Sequence, residues 1–230
     1  MGSVSVRRVS KDYVLGRTLV RALHDVSLEV ERSEFIAIAG PSGSGKSTLL
    51  NLVSAIDSPT KGEVVIDGVP LQTLDDNALS DLRANKIGFI FQTFNLIPVL
   101  SAYENVEFPL LFKRDGKVSK SRVKDVLARV GLEEFMHHRP DELSGGQRQR
   151  VAVARALVTD PLIVLADEPT ANLDSETGQA VIDLMLEINR SAGTTFIFST
   201  HDPSVMSHAR RVVRLVDGRI VSPQDQETKT

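Results

Sequence analysis

The sequence predicts an α/β fold, because short apolar runs of strand length alternate with helical patterns. Several of the runs are continuous rather than alternating, which is typical of strands buried on both faces of a parallel sheet covered by helices. The sequence therefore favours layers of helices on a sheet over an all-helical or all-strand domain. In chain order, the runs are residues 4–9, 35–39, 64–66, 87–91, 162–166, 195–198 and 212–216.

Three segments between these runs predict helices. Residues 49–56 follow the second run, and residues 121–130 carry apolar side chains at spacings of three and four before Gly131. Residues 175–190 repeat this spacing and stop before Gly193. A glycine directly after such a stripe is a common helix terminator. The middle of the chain, about residues 93–160, is mostly helical in pattern and predicts a helical subdomain inserted into one domain spanning residues 1–230. The polar end, residues 222–230, is predicted to be disordered.

Composition excludes several classes of protein. The 230 residues are 41% hydrophobic and 25% charged, as in an ordinary globular domain. The absence of cysteine excludes disulfides, thiolate metal sites and cysteine nucleophiles. A net charge of −3 without a basic block argues against a nucleic-acid partner. The longest stretch without charge, residues 87–103, is interrupted by polar residues and is too short for a membrane span. With no signal-peptide pattern at its start, the chain is expected to be cytoplasmic.

A glycine-rich loop follows the run at residues 35–39. It has the sequence Gly-Pro-Ser-Gly-Ser-Gly-Lys-Ser-Thr and leads into a helical pattern, which is the setting of a P-loop. Glycines let backbone N–H groups converge on phosphate oxygens, Lys46 supplies a positive charge, and the Ser47 hydroxyl can bind Mg²⁺. The alternative is a turn that only begins a helix. The predicted phosphate-binding residues are Ser42, Gly43, Ser44, Gly45, Lys46, Ser47 and Thr48.

Two acidic residues, Asp167 and Glu168, follow the apolar run at residues 162–166. In P-loop proteins an aspartate at such a strand end holds Mg²⁺, and an adjacent glutamate can take a proton from the attacking water. Two buried carboxylates are costly unless positive charge lies nearby. Capping of the next helix is the alternative explanation.

A second glycine-rich helix start occurs at residues 143–147, Leu-Ser-Gly-Gly-Gln. Ser144 and Gln147 have the spacing of a capping box. Gly145 and Gly146 cost about 1 kcal/mol each relative to alanine, so they indicate a need for close approach. A glycine-lined helix N-terminus is a potential anion site. A plain capped helix is the alternative.

Together these motifs resemble those of the ATP-binding subunits of ABC transporters. Residues 40–48 look like Walker A, residues 143–147 like the signature motif and residues 163–168 like Walker B. The resemblance spans nearly the whole chain. It implies a P-loop NTPase core, a RecA-like sheet covered by helices, together with an N-terminal β subdomain and the inserted helical subdomain. It also implies ATP and Mg²⁺ as cofactors and ATP hydrolysis as the reaction.

The resemblance assigns roles to further residues. Gln92 is similar to the Q-loop glutamine that senses Mg²⁺ and the attacking water, Asp174 to the D-loop aspartate, and His201 to the switch histidine near the γ-phosphate. Tyr13 stands where the family places a ring on adenine. For Tyr13 the alternative is simple packing, and for His201 it is a hydrogen-bonded buried histidine. Gln92 and Asp174 rest on the resemblance alone.

The family pattern also implies a head-to-tail pair, in which ATP on Walker A of one copy is covered by the signature motif of the other. The implied catalytic residues are Glu168, His201, Gln92 and Lys46, and the implied metal ligands are Ser47, Gln92 and Asp167. Besides Tyr13 and residues 42–48, the implied nucleotide-binding residues are Ser144, Gly145, Gly146, Gln147 and Asp174.

Within the family, residues 40–51, 87–112 and 137–178 are most similar to ATPases of lipoprotein-release and macrolide-export systems. Such ATPases work with separate membrane subunits, which implies a chain bound to the inner face of the membrane. The apolar segment at residues 94–100 either forms a groove for a coupling helix of that subunit or packs into the helical subdomain. Ser33 and Ala171 depart from the pattern, because relatives commonly have glycine at these positions.

Two other classes of protein remain at this point. A soluble regulatory ABC ATPase usually carries two cassettes, a coiled coil or a basic surface, none of which the sequence contains. A P-loop kinase leaves residues 143–147 without a purpose. An ATPase assay without a phosphate acceptor separates the kinase from both ATPases.

Overall fold

Two β-sheets and seven α-helices form the part of the chain, residues 3–113 and 120–221, that this computed structural model describes. The predicted disordered tail lies outside the described residues. The strands are β1 (Val4–Leu15), β2 (Thr18–Val30), β3 (Phe35–Ala39), β4 (Lys61–Ile66), β5 (Val69–Pro70), β6 (Ile87–Ile90), β7 (Ile163–Asp167), β8 (Thr195–Thr200), β9 (Arg211–Val216) and β10 (Arg219–Val221). The helices are α1 (Lys46–Val53), α2 (Asp76–Lys86), α3 (Ala102–Glu107), α4 (Lys120–Arg129), α5 (Gly145–Leu157), α6 (Ser175–Ala192) and α7 (Pro203–Met206).

The larger sheet has the strand order β10-β9-β3-β8-β7-β6, and all its neighbouring pairs are parallel except β10 with β9. Its central strands β3 and β8 are buried along their whole length, as the continuous apolar runs predict. Ala39 pairs with Thr200, and Asp167 pairs with Ser199. The residues that follow β3, β7 and β8 therefore emerge side by side at one edge of the sheet. The α/β prediction is confirmed.

The smaller sheet is antiparallel, with the order β2-β1-β4-β5. Buried and exposed positions alternate along the second half of β2, because one face of this sheet meets the core and the other meets water. Strands β2, β5 and β10 lie outside the predicted apolar runs. No apolar run marks β2, because its apolar residues alternate with polar and charged ones. Strands β5 and β10 are very short and lie at the sheet edges.

The middle of the chain is helical, with α3, α4 and α5 between residues 101 and 158. Helix α3 packs against α4 and α5. The predicted stripe of α4, from Val123 to Val130, is buried in the same apolar core as Phe196 and Phe198 of β8. The boundaries proposed for a separate subdomain stay a prediction.

Two helix starts and one turn show how local sequence sets the boundaries. Helix α1 begins three residues before the predicted stretch, because Gly45 serves as its N-cap, and Ala55 with a φ of 57° follows its end. Helix α6 begins after Asp174, whose carboxylate accepts from the Thr177 N–H. Ser33 has a φ of 59°, a left-handed conformation that explains why glycine suits this turn.

No helix within residues 3–113 and 120–221 has the length and apolar character that crossing a membrane requires.

Candidate nucleotide-binding site

The loop between β3 and α1 forms a cradle of backbone around Lys46. Gly45 adopts a φ of 101°, which turns the chain into the helix and is accessible mainly to glycine. The Lys46 ammonium, 5% exposed, donates to the carbonyl oxygens of Gly40 at 2.9 Å and Pro41 at 3.1 Å. The hydroxyl of Ser44 is buried and has no hydrogen-bond partner within the described part of the chain. A buried donor of this kind beside a helix N-terminus suits an anionic ligand.

The other predicted loop residues surround this cradle. Ser42, Gly43 and Ser47 are exposed, and Thr48 is half-buried in the first turn of α1. Because α1 packs against β7 and β8, its N-terminus faces the strand ends that carry Asp167 and His201.

Lys46, Glu168 and His201 meet at the edge of the larger sheet. The Lys46 ammonium lies 3.4 Å from one carboxylate oxygen of Glu168, and Nδ1 of His201 lies 3.2 Å from the other. Glu168 has a φ of 44°, a left-handed backbone that a non-glycine residue adopts at some cost and that often marks functional sites. Glu168 of this half-buried acidic pair is therefore matched by the positive charge of Lys46, as its partial burial favours.

A cleft of about 170 Å³ opens beside these side chains. His201 is largely exposed, in contrast to the buried histidine considered as its alternative. The site thus combines a cationic group at the loop with a carboxylate and an imidazole that water can reach. The lining residues are Glu168, Thr170, Ala171, Leu173, Thr200, His201 and Asp202.

Ser199 is a residue of this site that sequence reasoning missed. It is fully buried in β8, and its hydroxyl donates to Oδ1 of Asp167 at 2.6 Å and accepts from the Glu168 N–H at 2.8 Å. One side chain therefore orients the aspartate and the strained backbone of the glutamate. The only sign of this role in the sequence is a serine inside an apolar strand. That Ser199 pairs with Asp167 is seen only in the tertiary structure.

The donor set suits Mg²⁺ held together with phosphate oxygens. Within residues 3–113 and 120–221 there is no cluster of three histidine, aspartate or glutamate side chains that could hold a metal alone. Ser47 and Asp167 offer a hydroxyl and a carboxylate, and Mg²⁺ is usually bound by one or two such groups plus substrate phosphates. These residues therefore fit a metal that arrives with a nucleotide.

Tyr13 lies in β1 and is half-buried. Its hydroxyl donates to Oδ2 of Asp57 at 2.8 Å, and the Lys11 ammonium lies 4.9 Å from its ring centroid. Burial and the hydrogen bond to Asp57 raise the pKa of Tyr13, so the phenol keeps its proton at neutral pH. The ring is thus held from two sides.

Residues 144–147 begin α5 with the predicted capping box. The Ser144 hydroxyl accepts from the Gln147 N–H at 3.2 Å, and the Gln147 side chain accepts from the Ser144 N–H at 2.8 Å. A Cβ at Gly146 would lie 2.4 Å from Cγ2 of Thr177, and one at Gly145 would lie 3.3 Å from Leu173. Packing against residues 173–177 therefore favours glycine at position 146, because a larger side chain would have to displace Thr177.

The structure does not bring this segment to the Lys46 cluster. In the described part of the chain, no hydrogen bond or ion pair joins residues 144–147 to Lys46, Glu168 or His201. The two predicted phosphate-binding segments, residues 42–48 and 144–147, are thus not joined within one copy.

Gln92 and Asp174 are each hydrogen-bonded to a residue of the segment 172–177. The carbonyl of Gln92 accepts from the Asn172 side chain at 2.8 Å, while Gln92 itself is exposed. Asp174 caps α6, and the side-chain and backbone hydrogen bonds from Thr177 lower the pKa of its carboxyl. The roles assigned to both residues stay predictions.

Comparison with known protein families matches residues 23–171 to the model described as ABC transporter. Two relatives of similar length are each 47% identical. One is an ABC transporter ATP-binding protein, MJ0796, from Methanocaldococcus jannaschii, aligned over 94% of this chain and 94% of its own. The other is the lipoprotein-releasing system ATP-binding protein LolD from Anaeromyxobacter dehalogenans, aligned over 96% and 93%.

A larger relative, the macrolide export ATP-binding/permease protein MacB from Bdellovibrio bacteriovorus, is 42% identical over 96% of this chain, which covers 34% of MacB. Among solved structures, a dimeric post-hydrolysis state of MJ0796 bound to ADP and Pi matches with a TM-score of 0.88 and 46% identity, covering 95% of this chain and 97% of that one. CbiO1 from Clostridium perfringens matches with a TM-score of 0.85 at 28% identity, covering 99% and 91%. These matches confirm the resemblance: the chain belongs to the ABC transporter family, as an ATP-binding cassette ATPase.

Proposed function

We propose that this ATPase is the motor of a transporter, in which two copies bind ATP and Mg²⁺ between them and drive a separate membrane subunit. The observation that carries the proposal is the convergence of Lys46 and His201 on the two oxygens of Glu168. A general base beside a phosphate-binding lysine is the arrangement that hydrolysis of a terminal phosphate requires.

Each side chain of the site has a task in the reaction. Lys46 holds the terminal phosphates and stabilises the charge that develops on the transferred group. Glu168 accepts a proton from the attacking water, and His201 orients the γ-phosphate end beside it. Asp167 and Ser47, assisted by Gln92, would hold Mg²⁺, which would supply further charge stabilisation on the phosphates when bound with ATP. The Ser199 hydroxyl orients the Asp167 carboxylate and the Glu168 backbone through its two hydrogen bonds.

The second copy completes the site from the outside. Ser144 is exposed at the N-terminus of α5, where backbone N–H groups and the helix dipole favour an anion. Because no hydrogen bond or ion pair joins this segment to Lys46 in the described part of its own chain, its anion site is available to cover the ATP of the partner, with Asp174 at the junction. The dimeric state described for MJ0796 supports this arrangement.

Motion reaches the membrane subunit through the segment at residues 94–100. Arg155 donates to the carbonyls of Phe94 and Asn95. These hydrogen bonds join the segment to α5, the signature helix, which begins within the signature motif. Arg148 of the same helix lies 5.3 Å from the Phe94 ring centroid. A shift of α5 when ATP is bound or released therefore moves the segment with it.

Three apolar side chains, one in this segment and two in the turn after α3, are open to a partner. Val99 is 72% exposed, and Leu111 and Phe112 are each 62% exposed. Exposed apolar groups of this kind suit a coupling helix of the membrane subunit. That contact would hold the chain on the cytoplasmic face of the membrane. The names of LolD and MacB favour lipoprotein release, macrolide export or a related mechanical task.

The test of the motor is the variant Glu168→Gln. It is expected to bind MgATP, to lose about 10²–10⁴ in turnover, and to double its mass in light scattering at saturating MgATP. Glu176→Gln, at an exposed position in the first turn of α6, is the matched control and should keep wild-type turnover. A Glu168→Gln variant that hydrolyses ATP normally, or that stays monomeric with MgATP, would overturn the proposal.

The membrane partner is tested by co-purification from detergent extracts. The wild-type chain should bring an integral membrane protein with it, and Val99→Asp should weaken that association. Val14→Asp is the matched control, because Val14 is equally exposed, at 73%, but lies in β1 of the smaller sheet. A wild-type chain that purifies alone while hydrolysing ATP would favour the soluble regulatory ATPase.

A further inference from the structure

We propose that Lys11 and Asp57 are positioning residues for Tyr13, which hold its ring as a fixed platform and so determine how strongly the base of the nucleotide contributes to binding. This inference rests on the proposed function as an ATPase and on the role that the family resemblance implies for Tyr13, a ring stacked on adenine. It adds two residues that none of the recognised motifs contains.

The carboxylate of Asp57 is held by partners on both oxygens. Oδ2 accepts from the Tyr13 hydroxyl at 2.8 Å, and Oδ1 accepts from the Lys11 ammonium at 2.6 Å and from the Ser58 N–H at 2.7 Å. Because both oxygens are engaged, the carboxylate cannot rotate without breaking a hydrogen bond. The phenol of Tyr13 is therefore anchored at its far end, and the ring has little freedom to swing.

Lys11 restrains the ring from one face. Its ammonium lies 4.9 Å from the ring centroid and also donates to the Ser58 carbonyl at 2.8 Å, and its side chain is only 12% exposed. A cation over an aromatic face is attracted by the ring quadrupole. With this face occupied, a base stacks on the opposite face, so Lys11 selects the side from which the nucleotide approaches.

The neighbouring strand extends the platform. Val20 on β2 pairs with Tyr13 across the hairpin and is 41% exposed. Directly paired residues of an antiparallel sheet project on the same face and contact each other. A base stacked on Tyr13 therefore has an apolar neighbour at its edge.

Asp57 also links Tyr13 to α1, the helix that follows the phosphate-binding loop. The Asp57 N–H donates to the carbonyl of Asn51 in α1 at 3.2 Å, and the N-terminus of α1 carries Lys46. Tyr13 is thereby positioned relative to the helix that binds the phosphates. A platform at a constant distance from the cradle loses less conformational entropy on binding than a mobile ring does.

The experiment compares ATP with inorganic triphosphate, which has the phosphates but no base. Affinities for both are measured by calorimetry for the wild type, Tyr13→Ala, Asp57→Ala and Lys11→Met. Stacking on an aromatic side chain accounts for about 5- to 150-fold in affinity per base. Tyr13→Ala should weaken ATP binding by a factor in this range. Asp57→Ala and Lys11→Met should weaken it by about 2- to 13-fold, the value of one net hydrogen bond. None should change triphosphate binding.

Kinetics provide a second readout. In Asp57→Ala the KM for ATP should rise while kcat stays unchanged, because the lost interaction is the same in ground and transition state. Asp57→Asn, which keeps an acceptor for the Tyr13 hydroxyl, should recover part of the loss. Glu63→Ala is the matched control, because it breaks an exposed ion pair with Arg7, 2.9 Å long, on the same sheet.

The outcomes separate the inference from the proposed function. If Tyr13→Ala binds ATP as the wild type does, the stacking role of Tyr13 and the inference both fail. If Tyr13→Ala weakens ATP while Asp57→Ala and Lys11→Met match Glu63→Ala, only the positioning inference is overturned. Equal losses for ATP and triphosphate in Asp57→Ala would assign Asp57 to the phosphate loop and would also overturn it.

Discussion

The contact between the signature helix and α6 can be tested at Gly146. A Cβ at this position would lie 2.4 Å from Cγ2 of Thr177, whereas two carbon atoms normally stay about 3.5–4.0 Å apart. Gly146→Ala therefore forces Thr177 or the helix to move, and overpacking of this kind costs about 1–3 kcal/mol. Alanine also gains about 1 kcal/mol over glycine within a helix. The single variant is thus expected to lose about 0–2 kcal/mol of unfolding free energy.

A double-mutant cycle separates the two contributions. Thr177→Ser removes Cγ2 and keeps Cβ, which would lie 3.8 Å from the added methyl group, an ordinary contact distance. Helix propensity cancels in the cycle, so the coupling energy between Gly146→Ala and Thr177→Ser should favour the double variant by about 1–3 kcal/mol. Thermal unfolding measures it, because each kcal/mol moves the Tm of a chain this size by about 2–4 °C. A coupling energy below about 0.5 kcal/mol would refute the close approach.

The same double variant also tests the role of the glycine in nucleotide binding. The Cβ that alanine adds points at Thr177 of the same chain, so it leaves the approach of this segment to the partner's phosphates open. The double variant should therefore regain both its stability and its ATP turnover. Turnover that stays low while stability recovers would contradict a role of Gly146 limited to packing within its own chain.

Three further outcomes are expected. Ser199→Ala removes the hydroxyl between Asp167 and the Glu168 N–H and should lower both turnover and the unfolding free energy, the latter by about 1–3 kcal/mol, as urea unfolding and an ATPase assay would measure; normal turnover would contradict the positioning role. Asn105→Ala should cost about 1–3 kcal/mol in urea unfolding, because the buried Asn105 amide donates to the carbonyls of residues 97, 100 and 101; an unchanged midpoint would contradict this. Partial burial opposes ionisation of Asp57, but hydrogen bonds from Lys11 and Tyr13 lower the pKa of its carboxyl. The stability that the wild type has over Asp57→Asn should therefore be present above about pH 4 and disappear as the pH falls further. A stability difference that is independent of pH would refute an ionised Asp57.

Local sequence predicts the strands that carry the chemistry because they are buried on both faces. The central strands β3, β7 and β8 appear as continuous apolar runs, and each ends directly before a functional residue or loop. Strand β2 forms no continuous apolar run, since many of its side chains meet water and alternate with the apolar ones. The start of α1 is shifted from its apolar stripe because Gly45 begins the helix with a left-handed backbone.

The supporting residues could not be predicted in this way. The partners of Ser199 lie 31 and 32 residues away in the chain, and the partner of the Tyr13 hydroxyl lies 44 residues away. Neither Ser199 nor Asp57 belongs to a recognisable motif. Their contacts depend on which strands are neighbours and in which register, and no window of local sequence contains that information.

By itself the sequence determined the α/β class, the phosphate loop, the acidic strand end and the family, because each of these depends on residue types at fixed spacings along a few turns or one strand. Only the tertiary structure decided that Lys46 and His201 meet on Glu168, that Gly146 faces Thr177, and that Asp57 anchors Tyr13. The physical reason is that hydrogen bonds and ion pairs require distances of about 3 Å. Such distances between remote residues are set by the order and register of the strands.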